Sequence, residues 1–108
     1  MKTLKFDEKL VPLILSGEKT NTWRLFDDKN LKNDDEIIFI NKQLMKEFAK
    51  AKITKVKKAD FNNLTDKDWY GHEKYASKKE MYKAFSDYYN QIVNKDTKIK
   101  IINFKLIT

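Results

Sequence analysis

The 108-residue chain has no cysteine, one proline and two glycines. Without cysteine there is no disulfide framework and no thiolate metal site. No Gly/Pro-rich linker, repeat or low-complexity tract divides it, so residues 1–108 read as one domain able to bury one modest core. No stretch is long and apolar enough to cross a bilayer, which argues against a membrane partner. Met1 to Asp7 shows neither the apolar run nor the small-residue cleavage pattern of a secretory signal. These absences lead to the expectation of a soluble, cytoplasmic protein. Histidine is also scarce: His72 stands alone, and one histidine without cysteine makes a poor transition-metal site. No metal and no cofactor is expected. His72 reads as a residue that holds its loop by a hydrogen bond.

What is abundant is lysine and large rings. Lys and Arg number 23 against 16 acidic residues, a formal charge of +7. That excess favours anionic partners, although lysine is also this chain's default surface residue. Aromatics make up 13%, enough large apolar surface to argue against disorder. Of the 23 basic residues only Arg24 is arginine. Its planar fork of donors cannot be copied by lysine, so it directs attention to residues 17–24.

Leu4-Lys5-Phe6 reads as a first strand and Asp7 as the cap of a following helix. Leu10, Val11, Ile14 and Leu15 give that helix an apolar face; Pro12 places its start and Gly17 suits its left-handed end. Thr20 to Arg24 alternates as a strand. Residues 27–36 form an acidic, polar turn, and Glu36 to Ile40 is an apolar strand leaving it. Phe48 to Lys58 alternates, with a one-residue slip after Thr54 that predicts a β-bulge. In Lys98 to Leu106, Ile99 and Ile101 share one face and Ile102, Phe104 and Leu106 the other, which reads as a similar slip. Between these long strands lie a short helix near Thr65–Asp68 and a longer one over residues 77–89. Ser77 and Glu80 fit a capping box, and Met81, Phe85, Tyr88 and Tyr89 form an apolar stripe suited to core packing. The order is α+β, with helices outside a small antiparallel barrel; an open twisted sheet packed on helices fits the same periodicity.

The informative segment is Gly17-Glu18-Lys19-Thr20-Asn21-Thr22-Trp23-Arg24. Thr20, Thr22 and Arg24 share one strand face, and Asn21 and Trp23 the other. Lys19 sits in the turn and can swing over the Thr22 face. An ammonium, a hydroxyl and a guanidinium thus converge within a few residues, a set that can bind an anion or activate a hydroxyl. A second segment, Trp69-Tyr70-Gly71-His72-Glu73-Lys74-Tyr75, carries the other glycine and the histidine. If it closes over the Thr22 face, Glu73 completes a Lys/Thr/Glu set.

Gly17-x-Lys19-x-x-Thr22-x-Arg24 at the end of a first helix resembles the ASCH domain family, which has a PUA-like β-barrel fold. The likeness runs through the opening strand and helix, the long basic strand, the late helix ending in Tyr88-Tyr89 and the final Ile101-Ile102-Asn103-Phe104 strand. Many members carry Glu at the Thr22 position. Those with Thr resemble amidohydrolases that deacetylate N4-acetylcytidine, for which a Lys, a Thr and a Glu are the implied catalytic set. Lys19 and Thr22 match directly, and Glu73 is the matched acid, with Glu80 as the alternative. The turn often reading Gly-Asp in the family is Asn33-Asp34 here, and Asn tolerates the left-handed conformation.

Amide hydrolysis needs a nucleophile, a base and a group to hold the oxyanion. Lys19 acts as base only when neutral; its free pKa is about 10.4, and burial beside the Arg24 cation pushes it down. Glu73 then protonates the leaving nitrogen or orients Lys19, and Arg24 holds an oxygen of the substrate. Whether Thr22 attacks or positions a water stays open. Trp69 and Tyr70 are candidate stacking surfaces for a base, while Trp23 and Phe26 offer further rings and Trp23 reads mainly as core. The rival reading is an RNA-binding module without catalysis, using a lysine row at Lys50, Lys52, Lys55 and Lys57. That row also reads as the solvated outer face of any half-buried strand. The expected partner is therefore a small nucleoside or RNA. A ribonuclease ranks last, since no histidine pair supports acid–base cleavage.

Overall fold

The structure, a computed structural model, describes residues 1–27 and 29–107. Asp28, part of the acidic turn, and Thr108 lie outside the described residues. Strand β1 (Lys2–Phe6) leads through a 3₁₀ turn at Glu8–Leu10 into helix α1 (Val11–Ser16). The Asp7 carboxylate accepts from the Lys9 N–H at 3.1 Å, and Pro12 sits in the first turn, where a missing N–H costs nothing. Gly17 ends α1 at φ 87°, the left-handed conformation that only glycine adopts without strain. Strands β2 (Asn21–Arg24), β3 (Glu36–Asn41) and β4 (Lys46–Asp60) follow. Helices α2 (Asp66–Trp69) and α3 (Lys78–Tyr89) then precede the last strand, β5 (Lys98–Ile107). The Ser77 hydroxyl caps α3 by accepting from the Glu80 N–H at 3.1 Å.

The five strands form one curled sheet in the order β1-β3-β4-β5-β2. The β1–β3 pair is parallel and the others are antiparallel, so the α+β barrel-like sheet is mixed. Its two edges, β1 and β2, are brought together by Arg24, whose Nη2 donates to the Lys5 carbonyl at 2.8 Å. The same guanidinium lies 4.7 Å from the centre of the Phe6 ring. The lone arginine thus occupies the mouth where an otherwise open sheet comes closest to closing.

The register of β4 against β5 shifts between Ile53 and Lys55, where the alternation slips at Thr54. This extra residue keeps Lys50, Lys52, Lys55 and Lys57 on one face, opposite Ile107, Lys105, Asn103 and Ile101. The slip read in the last strand takes a different form. β5 pairs with β2 from Asn103 to Lys100 without interruption. Ile99 and Ile101 enter the core under α3, beside Trp23, Phe61, Met81 and Phe85, while Ile102 and Phe104 enter a second core with Leu4, Phe6, Ile37 and Phe39. An interior strand covered on both faces buries both sets of its side chains, so β5 needs no bulge of its own.

Candidate functional site

β2 is an edge strand, so one side of its backbone is free to hold something other than a strand. It holds the loop after α2. The Thr20 and Asn21 N–H groups donate to the Gly71 carbonyl at 2.8 and 3.3 Å. The Asn21 amide, fully buried, donates to the Asp68 and Tyr70 carbonyls at 3.0 and 2.7 Å. Gly71 permits this seam: its φ is +75°, and a Cβ built on it would lie 1.8 Å from the Thr20 hydroxyl. Asp68 anchors the other end, accepting from the Thr65 N–H at 2.9 Å and from the Lys57 ammonium at 3.0 Å.

The seam carries His72 and Glu73 to the face of Thr22. Lys19 Nζ donates to Glu73 Oε2 at 2.6 Å across 54 residues of sequence. The Lys19 side chain is 2% exposed and that of Glu73 28%. Burial pulls the Lys19 ammonium below its ordinary pKa and the Arg24 cation adds to this, with Glu73 opposing both. Burial by itself would raise Glu73, but the Lys19 ammonium, the hydrogen bond from it and His72 in its charged form outweigh it and hold the carboxyl below its usual range. Thr22, 5% exposed, accepts from Arg24 Nε at 3.3 Å, which leaves its own hydroxyl hydrogen free to donate elsewhere.

Thr22, Arg24, His72 and Glu73 line a cleft of about 190 Å³ between the end of β1 and α3. Its remaining walls include Phe6, Tyr75 and Tyr88. The volume is below the range of pockets for drug-sized ligands, and it suits a single small ring with a short substituent. Lys19 joins this set through Glu73.

Of the residues singled out from sequence, the structure thus brings Lys19, Thr22, Arg24 and Glu73 together. Glu80 lies exposed in the first turn of α3, and Glu73 is the acid at Lys19. Trp69 and Tyr70 lie apart from the Thr22 cleft and line a separate hollow with Asp66, Lys74 and Tyr75. Trp69 packs against the buried Trp23 at 4.6 Å between ring centres, and Tyr70 is 72% exposed. The rings that do face the cleft, Phe6, Trp23, Tyr75, Phe85, Tyr88 and Tyr89, belong to β1, β2, the loop and α3. Their spacing along the chain carries no sign of this, because the stripe of Phe85, Tyr88 and Tyr89 reads equally well as core packing. In the lysine row, Lys50, Lys52 and Lys55 are exposed, Lys52 lies 3.7 Å from an Asp34 carboxylate oxygen, and Lys57 is paired with Asp68.

No family model matches the sequence, and no curated protein matches it. Solved structures do. A protein from Enterococcus faecalis described as DUF984 superposes with a TM-score of 0.76 at 18% identity, covering 92% of this chain and 70% of that one. An ASCH domain from Lactobacillus crispatus gives 0.67 at 19% identity, covering 91% and 70%. A hypothetical protein, PH0355, gives 0.74 at 24% identity, covering 99% and 100%.

Proposed function

Proceeding from the fold, which is that of ASCH-domain structures, we propose that this chain is an amidohydrolase acting on N4-acylated cytosine bases or nucleosides such as N4-acetylcytidine. Lys19, Thr22 and Glu73 are its reacting groups. The observation that carries the reading is the 2.6 Å contact between a buried lysine and a carboxylate on the wall of a base-sized cleft that also holds Thr22.

The Lys19–Glu73 pair holds one labile proton. As an ion pair it is an ammonium and a carboxylate. Passing that proton to the carboxyl group makes a neutral amine and an acid without changing the net charge. The ion pair is the resting form, and burial of Lys19 weakens its hold on the proton, which brings the neutral pair within closer reach. The amine takes the proton of Thr22, or of a water that Thr22 holds, as the oxygen attacks the acyl carbon. Glu73 gives its proton to the departing exocyclic nitrogen. Arg24, already at Thr22, has donors left for the oxyanion. Water then completes the balance: amide and water become amine and carboxylic acid.

Release of cytidine from N4-acetylcytidine by the purified chain is the direct measurement. Thr22→Ala and Lys19→Met are expected to lower kcat/KM by at least about 10²-fold with folding intact, the usual size of a lost acid–base or nucleophilic group. Wild-type protein that is folded and inert towards acylcytosines sinks the reading.

A second reading, a polyanion-binding module, is favoured by one observation. Arg24, Lys100 and Lys58 stand side by side across β2, β5 and β4, on an open groove of about 920 Å³ that Lys98 also lines. Asp27 and Asp60 pair with Lys100 and Lys98, which reduces that charge. RNA affinity that falls steeply with salt, in a chain without turnover, would select this reading.

A further inference from the structure

His72 lines the cleft beside Glu73 and has no part in the proposed reaction. Its ring is buried, stacked on Trp23 with centres 3.9 Å apart and planes 20° apart. Nδ1 lies 2.7 Å from the Glu73 backbone carbonyl. A carbonyl only accepts, so Nδ1 carries the hydrogen, and in a neutral ring Nε2 is then a bare lone pair. The ring is neutral: burial, helped by the Lys19 cation, brings its pKa down to about 4. That lone pair faces Glu73 Oε1 at 3.6 Å, while the other carboxylate oxygen, Oε2, accepts from Lys19. Two acceptors attract each other only with a proton between them.

We propose that His72 is a positioning residue whose Nε2 holds the acid form of Glu73 with its proton on Oε1. This rests on the amidohydrolase reading above. The consequence falls on Lys19. A proton kept on Oε2 would be bound to the lysine's lone pair and would block it. A proton drawn to Oε1 lets the neutral amine donate to Oε2 and leaves its lone pair free for the hydroxyl it must deprotonate. One proton leaves Nζ, one O–H bond forms on Glu73, and no other charge changes. Among the described residues no side chain donates to Nε2: Arg24 gives Nε to Thr22 and Nη2 to the Lys5 carbonyl, and the Tyr75 phenol, kept protonated by burial and Glu73, makes no hydrogen bond there.

Two arms test this. In His72→Asn the side-chain amide can keep the bond to the Glu73 carbonyl but places nothing at Nε2. Its kcat on N4-acetylcytidine should fall at least about tenfold at pH 7 with KM unchanged, and recover as pH rises towards the lysine's own range. His72→Gln, which returns an acceptor near Nε2, should restore the neutral-pH plateau. A loss that is equal at every pH, or no loss, overturns the assignment. The second arm does not need activity. Nitrogen NMR of the imidazole should show Nδ1–H and a bare Nε2 in the wild type. In Glu73→Gln, whose amide N–H replaces the acid O–H, Nε2 should show an accepted hydrogen bond. An Nε2–H tautomer in either protein refutes the inference. Absence of acylcytosine turnover in the wild type refutes the amidohydrolase reading, and the NMR arm still decides the role of Nε2.

Discussion

Gly71 shows how much of the site depends on a missing side-chain atom. The loop carrying His72 and Glu73 lies against β2 only because backbone meets backbone there. Gly71→Ala must adopt a left-handed φ and displace Thr20, whose hydroxyl lies 1.8 Å from the added Cβ. A destabilisation of about 1–3 kcal/mol is expected, measurable by urea denaturation. Activity should drop beyond what the unfolded fraction explains, because Glu73 moves away from Lys19. Unchanged stability would mean the seam is looser than its hydrogen bonds indicate. The importance of Gly71 was open to inspection in the sequence, where it is one of two glycines. Its partner, Thr20, was not, because contacts across about 50 residues leave no local pattern.

β2 is the element on which the site is built, and four residues give it three partners. Its backbone pairs with β5, its free edge holds the loop, and Arg24 reaches β1. Arg24→Lys keeps the charge but cannot donate to the Lys5 carbonyl and the Thr22 hydroxyl together while lying on Phe6. We expect a loss of about 1 kcal/mol in stability, seen as a lower urea midpoint. Turnover should also fall roughly tenfold, the scale of one lost polar contact to the reacting group. A lysine variant with full activity would remove Arg24 from the mechanism and leave it as a structural clasp. α3 contributes differently. Met81 and Phe85 bury the half of the stripe that amphipathic spacing marks as core, while Tyr88 stays 46% exposed and turns to the cleft and to Lys42. Periodicity identified the helix and its inner face; it could not separate a wall of the core from a wall of the cleft, since both are apolar.

For the whole molecule, the buried neutral histidine makes stability depend on pH. The His72 pKa is about 4 in the fold, against about 6.5 for an ordinary imidazole. Between these values the unfolded chain binds the extra proton and the folded chain does not, so stability falls as pH drops from about 6.5 to 4. The full effect is about 3 kcal/mol for a shift of this size. Wild type and His72→Gln compared by denaturation at pH 7.5 and pH 4.5 should differ in slope, the variant losing less. Parallel losses would place the titration elsewhere.

Composition, alternation and the Gly17-x-Lys19-x-x-Thr22-x-Arg24 spacing were enough to establish the order of elements, the bulge at Thr54, the α+β class and three of the four polar groups that meet at the site, while the barrel came from the family resemblance, since an open sheet fits the same alternation. Such features are local: a cap, a turn or an alternating strand is decided by residues a few positions apart. Tertiary structure alone decided that Glu73 and not Glu80 reaches Lys19, that Trp69 and Tyr70 face a different hollow, that β1 runs parallel to β3, and that Arg24 spans the sheet's two edges. Each depends on where the curled sheet brings distant segments together, and that is settled by the packing of two cores against β5, which no short stretch of sequence encodes.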